Sequence, residues 1–220
     1  MSAPGDEGEP EAGLAKLPPG RHGLPRDFVI QHQRQRILAA VPLAVSTSGY
    51  GELTVEAIIS RAGISRRTFY EHFHNKQEAF LATYDAAAIQ MLTNVRNAYQ
   101  GIEDYVERLR AGLKAIIDFF VADPPLARMC MVEVLAAGHQ AIERRRAAQR
   151  VFATIIEENV RETLPDCKVP SNITEMVVGG IYEVLYAYIL RGAIDDLPGL
   201  LSDLVYFALL PVHGPDKGKR

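Results

Sequence analysis

The sequence predicts an all-α protein of about nine helices, and three observations lead to that prediction. After residue 26, apolar residues recur at the three-to-four-residue spacing of helix faces along most of the chain. Capping residues, glycines and prolines stand between these runs, where helices begin and end. No stretch alternates apolar and polar residues in the manner of a half-buried strand. We expect a three-helix N-terminal domain, a fourth helix as linker, and a C-terminal helical bundle.

The composition is that of an ordinary globular protein. Of its 220 residues, 48% are hydrophobic and 23% are charged. No run of 18 or more apolar residues occurs, and the N-terminus lacks the basic-then-apolar pattern of a signal peptide. We therefore expect a cytoplasmic protein with no membrane partner. The only two cysteines, Cys130 and Cys167, show no CxxC spacing and are expected to be free thiols, with a redox-sensing pair as the alternative.

The rest of the chain is organised around residues 54–76. Four apolar residues between positions 55 and 62 fall on one face of a helix. Thr54 stands where its hydroxyl can accept a hydrogen bond from the first helical turn, and Gly63 can end the helix in the left-handed conformation. Ser65 then starts a second helix only a few residues later. Two helices joined by a short turn that contains glycine form a helix-turn-helix.

The second helix, residues 66–72, carries an unusually polar outer surface. Phe69 and Phe73 lie about 40° apart around its axis and form the buried edge. Side chains on the other faces can hydrogen-bond with base edges in a DNA major groove. The candidates for reading bases are Arg66, Arg67, Thr68 and Glu71. Arg66 lies nearer the buried edge by this geometry, but it stands at the helix start.

Charge is distributed unevenly along the chain, although the net charge is only −3. Residues 21–76 carry eight Lys and Arg against four Asp and Glu, whereas residues 77–220 carry fifteen against nineteen. The net-basic section therefore contains the helix-turn-helix. This distribution indicates where phosphates would bind and predicts that the acidic remainder stays away from DNA.

An ordered set of residues between about 34 and 82 resembles the TetR family of transcriptional regulators. The residues that match are Gly49-Tyr50, Thr54-Val55, Ile58, Ala62-Gly63-Ile64-Ser65, Thr68-Phe69-Tyr70, His72-Phe73, Lys76 and Ala79-Phe80-Leu81. The resemblance implies a DNA-binding domain followed by a ligand-binding and dimerisation bundle. Its phosphate-contact candidates are Thr54, Ser65, Tyr70, His72 and Lys76. Pro42 and Gln77 depart from the family pattern, and Pro42 should kink the first helix.

Four segments follow from this pattern. Residues 1–25 are rich in Gly, Pro and Glu and are predicted to form a disordered arm. The basic end of this arm can reach into a minor groove, or the arm can be a solvated tail. Residues 26–76 are the helix-turn-helix domain, residues 77–212 the bundle, and residues 213–220 a disordered tail.

The bundle is expected to form a homodimer through helices at about 172–191 and 197–212. One helix-turn-helix contacts one half-site, so paired half-sites require a two-fold protein. Both helices are unusually apolar for the terminal helices of a monomer, and Gly179-Gly180 would let a partner helix approach closely. The alternative is that the two helices only cover the core of the monomer.

Aromatic residues, methionines and two glutamates within the bundle suggest an apolar pocket with a few polar groups. The candidate ligand contacts are Tyr84, Met91, Phe120, Met129, Glu133, Tyr182, Glu183 and Tyr186. Methionines and aromatic residues at helical spacing are more often plain core than ligand contacts, and the two glutamates could equally lie in water at helix edges. The arginines at 144–146 are most simply a solvated helix face.

The sequence favours a regulator over an enzyme. No zinc-protease, nucleophile-elbow or Walker motif is present, so we expect no catalytic residues, metal or cofactor. We predict a homodimeric repressor that a small-molecule effector releases from a palindromic double-stranded operator. A ligand-independent or architectural DNA-binding dimer is the alternative, although a bundle of about 140 residues exceeds what dimerisation requires.

Overall fold

The computed structural model describes residues 25–167 and 169–213, and within them the protein is helical throughout. The nine α-helices are α1 Arg26–Glu52, α2 Val55–Ala62, α3 Arg66–His72, α4 Lys76–Tyr99, α5 Tyr105–Ala122, α6 Pro124–Met131, α7 His139–Thr163, α8 Ser171–Leu190 and α9 Leu201–His213. One-turn and two-turn 3-10 helices at Glu133–Leu135 and Ile194–Leu200 precede α7 and α9. The described part of the chain contains no strand, which confirms the predicted fold class. The predicted arm and the last seven residues of the predicted tail lie outside the described residues.

The three N-terminal helices pack around a small apolar core. Ile37 of α1, Ile58 of α2 and Phe69 of α3 are each completely buried. Their burial fixes the angle between α2 and α3, because a helix as short as α3 gains little stability from its own hydrogen bonds. The core then continues without a break into the bundle. The helix-turn-helix domain therefore packs against the bundle through a shared core and is not joined to it by a flexible linker alone.

The bundle is arranged around α4 and α5, which pack against each other along most of their length. The α7 helix packs on α8, and α9 covers α5. Helix α1 joins the N-terminal domain to the bundle, because it packs against α6, against the 3-10 helix Glu133–Leu135 and against α4. A movement of α6 relative to α4 would therefore change the packing of α1, which contacts both helices.

Helix α1 is interrupted at Gly49 rather than at Pro42. Gly49 has φ 79° and ψ 169°, a conformation that costs glycine little, whereas Pro42 keeps helical angles and is buried. The prediction of a kink at Pro42 is therefore wrong, and the break in α1 lies at Gly49 instead. After Gly49 the chain makes one further helical turn, Tyr50–Glu52, before α2 begins.

Two other boundaries have local causes. Helix α6 ends at Met131, and the separate 3-10 helix Glu133–Leu135 follows it. The Asp123 carboxylate caps α6 by accepting a hydrogen bond from the Leu126 amide at 3.0 Å. Helix α5 begins at Tyr105, because the Asp104 carboxylate caps it through the Glu107 amide at 2.9 Å.

Candidate nucleic-acid interface and effector cavity

Side-chain hydroxyls start both helices of the helix-turn-helix. Thr54 Oγ1 accepts a hydrogen bond from the Ala57 amide at 3.1 Å, and Ser65 Oγ accepts one from the Thr68 amide at 3.0 Å. Gly63 ends α2 with φ 59°. These groups place α3 across the outer surface of the domain, as the sequence predicted. Thr54 and Ser65 are exposed there, so a role in phosphate contact stays a prediction.

The outer face of α3 presents two arginines, each beside a carboxylate. Arg67 donates from Nε to Glu71 Oε1 at 3.0 Å, one turn away on the same helix. Arg66 pairs with Glu56 of α2 and is exposed, not buried. Exposed ion pairs of this kind are worth little in water. Each guanidinium can therefore exchange its carboxylate for a phosphate or a base at small cost.

The remaining α3 candidates surround these arginines. Tyr70 is about half exposed, and Thr68 is half-buried at the start of the helix. His72 Nε2 lies 3.3 Å from the Gln33 amide oxygen of α1. Burial, with a smaller contribution from Arg34, lowers the pKa of His72 against the opposing effect of Glu71, so the ring is neutral at pH 7. This arrangement fits a histidine that orients α3, and its predicted phosphate contact stays a prediction.

Lys76 has a structural role that the sequence did not reveal. Its ammonium group lies 3.4, 3.2 and 2.7 Å from the carbonyl oxygens of Tyr50, Gly51 and Leu53. It also lies 5.1 Å from the centre of the Tyr50 ring. Lys76 therefore closes the C-terminal end of the turn that follows Gly49. The carbonyls are 23–26 residues away along the chain, so no local spacing could have indicated this contact.

Replacing Lys76 by methionine should lower the free energy of unfolding by about 1–2 kcal/mol. The loss is at the lower side of what charged hydrogen bonds contribute because Gly51 is exposed and water can reach its carbonyl. Urea denaturation followed by circular dichroism would measure it. The matched control is Lys114→Met, whose lysine makes only an exposed one-turn pair with Asp118. Equal losses in the two variants would contradict the role of Lys76.

The bundle contains two neighbouring apolar cavities. The outer cavity, about 530 Å³ including its open mouth, lies among α4, α5, α7 and α8. The inner cavity, about 300 Å³ including space that is open to solvent, lies nearer α6 and is lined by Cys130, Met131 and Ala148, among others. Phe152 and Tyr182 line both cavities, so the two cavities meet at these side chains. A ligand could therefore extend from one cavity to the other past these two rings.

Four of the eight predicted ligand contacts line these cavities. They are Tyr84, Met91, Phe120 and Tyr182. Met129 is completely buried in the core, and Tyr186 is half-buried; neither lines a cavity. Glu183 is exposed on α8, and Glu133 is buried against α1. The sequence analysis did not include Phe152 and Asn159 of α7, which line the outer cavity. The most conspicuous feature of that helix in the sequence is its row of basic residues.

Polar groups at the cavities are few. Arg108 lines the outer cavity and is held by the Ile102 carbonyl, by Asn159 Oδ1 at 3.0 Å and by Glu162 Oε2 at 2.7 Å. Burial raises the pKa of Tyr84 and Tyr182 well above the usual range, so both remain neutral hydrogen-bond donors. Burial likewise raises the pKa of Cys130 to about 12, which keeps it an unreactive thiol.

The predicted solvated arginine face of α7 is only partly solvated. Arg144 pairs with Asp85 at 3.0 Å, and Arg146 pairs with Glu143 at 3.1 Å. Arg145 instead lies over the Tyr182 ring, 5.4 Å from its centre. Its buried Nε has no hydrogen-bond partner in the part of the chain that the structure describes. In the described part of the chain, no three His, Cys, Asp or Glu side chains lie close enough together to hold a metal ion.

A basic helix-turn-helix domain packed on a helical bundle with an apolar cavity is an arrangement typical of DNA-binding regulators of transcription. Residues 44–83 match the model of the bacterial regulatory proteins of the tetR family. Solved structures of two TetR-type regulators from Rhodococcus have a similar fold over 84% and 82% of the chain. Residues 44–83 thus resemble the DNA-binding domain of the TetR family, and the fold of the chain is similar to that of solved TetR-family regulators.

Three related proteins define the range of similarity. The transcriptional activator FasR of Mycolicibacterium smegmatis is 33% identical over 100 residues, which are 46% of this chain and 44% of FasR. The chain thus matches less than half the length of that relative. The fatty acid degradation regulator FadR of Bacillus halodurans has a TM-score of 0.72 at 18% identity, covering 84% of this chain and 96% of FadR. FadR of Bacillus subtilis, solved in complex with stearoyl-CoA, has a TM-score of 0.70 at 17% identity, covering 82% and 98%.

Proposed function

We propose that the protein binds a palindromic operator as a homodimer and that an apolar effector in the bundle releases it. The observation that carries the proposal is a single continuous core with an exposed, arginine-bearing α3 at one end and an apolar cavity at the other. Each α3 would enter a major groove, with the two helices about 34–36 Å apart. An operator that overlaps a promoter makes such a dimer a repressor. FasR is named an activator, so a transcription assay must determine the sign of regulation.

The exposed apolar surface of α8 and α9 supports the dimer. Large apolar side chains that remain at least one-third exposed on these helices are Met176, Val184, Leu190, Tyr206, Phe207 and Leu210. Gly179 has open space beside it, whereas Gly180 admits the Phe207 ring of its own chain, since a Cβ there would lie 2.9 Å from it. Large exposed apolar side chains on two terminal helices are typical of an interface between subunits.

The α8 helix is also long and apolar enough, by length and composition alone, to cross a membrane. About 33% of its most apolar window is buried within this chain. A helix that packs on its own core on one face and on a partner on the other has the same composition. Pairing with a second copy accounts for its exposed face without a membrane.

The cavities support an elongated apolar effector. The outer cavity offers almost only carbon surface, and its one guanidinium is already occupied by Asn159 and Glu162. Tyr84 and Tyr182 can donate hydrogen bonds at the inner end, and the Arg145 guanidinium lies beside them. A long acyl chain with a polar or anionic group fits this distribution. The stearoyl-CoA bound to the FadR of Bacillus subtilis gives the first compound to test.

The test combines DNA binding with ligand binding. A gel shift with DNA that flanks the protein's own gene should show a protein–DNA complex, and addition of stearoyl-CoA should dissociate it. The same ligand should raise the melting temperature of the protein, because it binds only the folded state. Unchanged operator binding at saturating ligand would instead favour the ligand-independent, architectural dimer.

Filling the outer cavity should abolish the ligand effect. We expect Gly112→Leu to remove most of the rise in melting temperature, since Gly112 lines the cavity and an added Cβ there meets Val95 at an ordinary 3.5 Å. Differential scanning fluorimetry with and without stearoyl-CoA measures this. The matched control, Ala122→Leu, adds similar volume at an exposed position of the same helix and should respond like the wild type. A full response in Gly112→Leu would place the ligand elsewhere.

A further inference from the structure

The helical turn Tyr50–Glu52 is closed at both ends by side chains from other helices. The Gly49 conformation removes the Tyr50 amide from the hydrogen-bond pattern of α1, so this amide begins a new turn. Glu133, 83 residues further along the chain, accepts the hydrogen bond of the Tyr50 amide at 2.9 Å through Oε2. Lys76 closes the carbonyl end of the same turn. A carboxylate at the amide end and an ammonium group at the carbonyl end both stabilise the turn, because each charge is opposite to the partial charge at its end of the dipole.

Glu133 is suited to hold this turn in one place. It is only 7% exposed, and its second oxygen, Oε1, pairs with Arg128 Nε at 3.2 Å. Its Oε2 lies 3.3 Å from the position that a Cβ on Gly49 would occupy, so the carboxylate packs directly on the break in α1. A buried carboxylate that is fully bonded on both oxygens is costly to displace. The turn it holds runs directly into α2, so its position sets that of the helix-turn-helix.

The same carboxylate lies next to the inner cavity along the chain. Cys130 and Met131 line that cavity, and Glu133 follows two residues later. A second link runs parallel to it: Gln77 Nε2 of α4 donates to the Ala137 carbonyl at 3.1 Å. Displacement of Met131 by a ligand would therefore move Glu133 relative to α4, which holds the other end of the turn through Lys76.

We propose that Glu133 is the positioning residue through which occupancy of the inner cavity changes the position of the helix-turn-helix. The proposal rests on the effector response described above and adds the residue that transmits it. When the cavity fills, α6 and the Glu133–Leu135 turn shift, and the hydrogen bond between Glu133 and the Tyr50 amide weakens or moves with them. The turn between Gly49 and α2 is then held by α4 alone, and the two α3 helices of the dimer lose their spacing.

The experiment fills the cavity without a ligand. Ala148 lines the inner cavity from α7, so Ala148→Leu places extra carbon where an effector would lie. In the full-length protein, fluorescence anisotropy with the operator duplex should show a loss of affinity of about fivefold or more, the lower end of typical coupling. In a Glu133→Ala background the same substitution should change affinity less than about twofold. Glu133→Gln keeps an acceptor oxygen for the Tyr50 amide and should restore most of the response.

A direct readout keeps the proposal testable if Glu133→Ala does not fold. Hydrogen exchange of the Tyr50 amide, measured by NMR on the protein without DNA, should be faster in Ala148→Leu than in the wild type. Glu158→Ala, which removes an exposed carboxylate of α7, is the matched control and should leave both readouts unchanged. Equal effects of Ala148→Leu with and without Glu133, or unchanged exchange at Tyr50, would overturn the proposal. Failure of stearoyl-CoA to bind would reject only the proposed effector, since no ligand is used here.

Discussion

Tyr206→Asp is expected to convert the dimer into a monomer and to weaken operator binding by about a hundredfold or more. Tyr206 is 68% exposed, the largest exposed fraction among the apolar and aromatic side chains of α8 and α9. In a two-fold interface the substitution buries two carboxylates without partners, which costs far more than the lost contacts alone. A monomer then binds one half-site at a time and loses the gain of about 10²–10⁴ that linked binding provides.

Sedimentation equilibrium measures the dimer, and anisotropy with a full operator and with a single half-site measures binding. Affinity for the single half-site should remain close to that of the wild type, because α3 lies at the other end of the molecule. Ile89→Asp is the matched control: Ile89 is 66% exposed on α4, outside the proposed interface, and the substitution adds the same charge. A Tyr206→Asp protein that still sediments as a dimer would place the interface elsewhere.

Arg67→Ala is expected to cost about 1–3 kcal/mol of operator binding and to relax sequence preference at one position of each half-site. The Arg67 side chain is 88% exposed, so the folded protein loses almost nothing when it is removed. Its single intramolecular partner in the described structure, Glu71, is left as an exposed carboxylate facing DNA. The loss therefore combines a missing base contact with a new repulsion.

Comparing the wild type and the variant on operators with each base substituted in turn separates the two effects. A base contact gives a penalty that depends on the base pair, whereas repulsion by Glu71 weakens all sequences alike and disappears in Arg67→Ala/Glu71→Gln. Arg110→Ala serves as the control, since Arg110 also pairs with a glutamate one turn away but lies on α5. A uniform loss across all operators would remove Arg67 from the base-reading set.

The fold was largely predictable because its signals are local. Thr54, Ser65 and Asn75 each cap the helix that follows them, and each acts through an amide three residues away. Apolar spacing within one helix located α2 and α3 to within one or two residues. The polar surface of α3 followed from the same arithmetic, because helix geometry alone separates its buried phenylalanines from its arginines.

The parts that escaped prediction depend on pairs of residues far apart in the chain. Nothing near Lys76 or Glu133 in the sequence indicates that both hold the turn at Tyr50. Glu133 interrupts an apolar run, and that pattern suggests either a polar ligand contact or a helix edge in water. The α7 lining of the outer cavity escaped for a related reason, since residues such as Phe152 look like ordinary core until α4, α5 and α8 are in place around them. Sequence periodicity shows which face is buried but not what it faces.

The meeting of the two cavities at Phe152 and Tyr182 has a pharmacological consequence. If only the inner cavity communicates with Glu133, a compound short enough to stay in the outer cavity would bind without releasing DNA. Such a compound would be a competitive antagonist, and lengthening it past the two rings would turn it into an agonist. The length of an acyl chain, rather than its affinity, would then determine whether a gene under this regulator is switched.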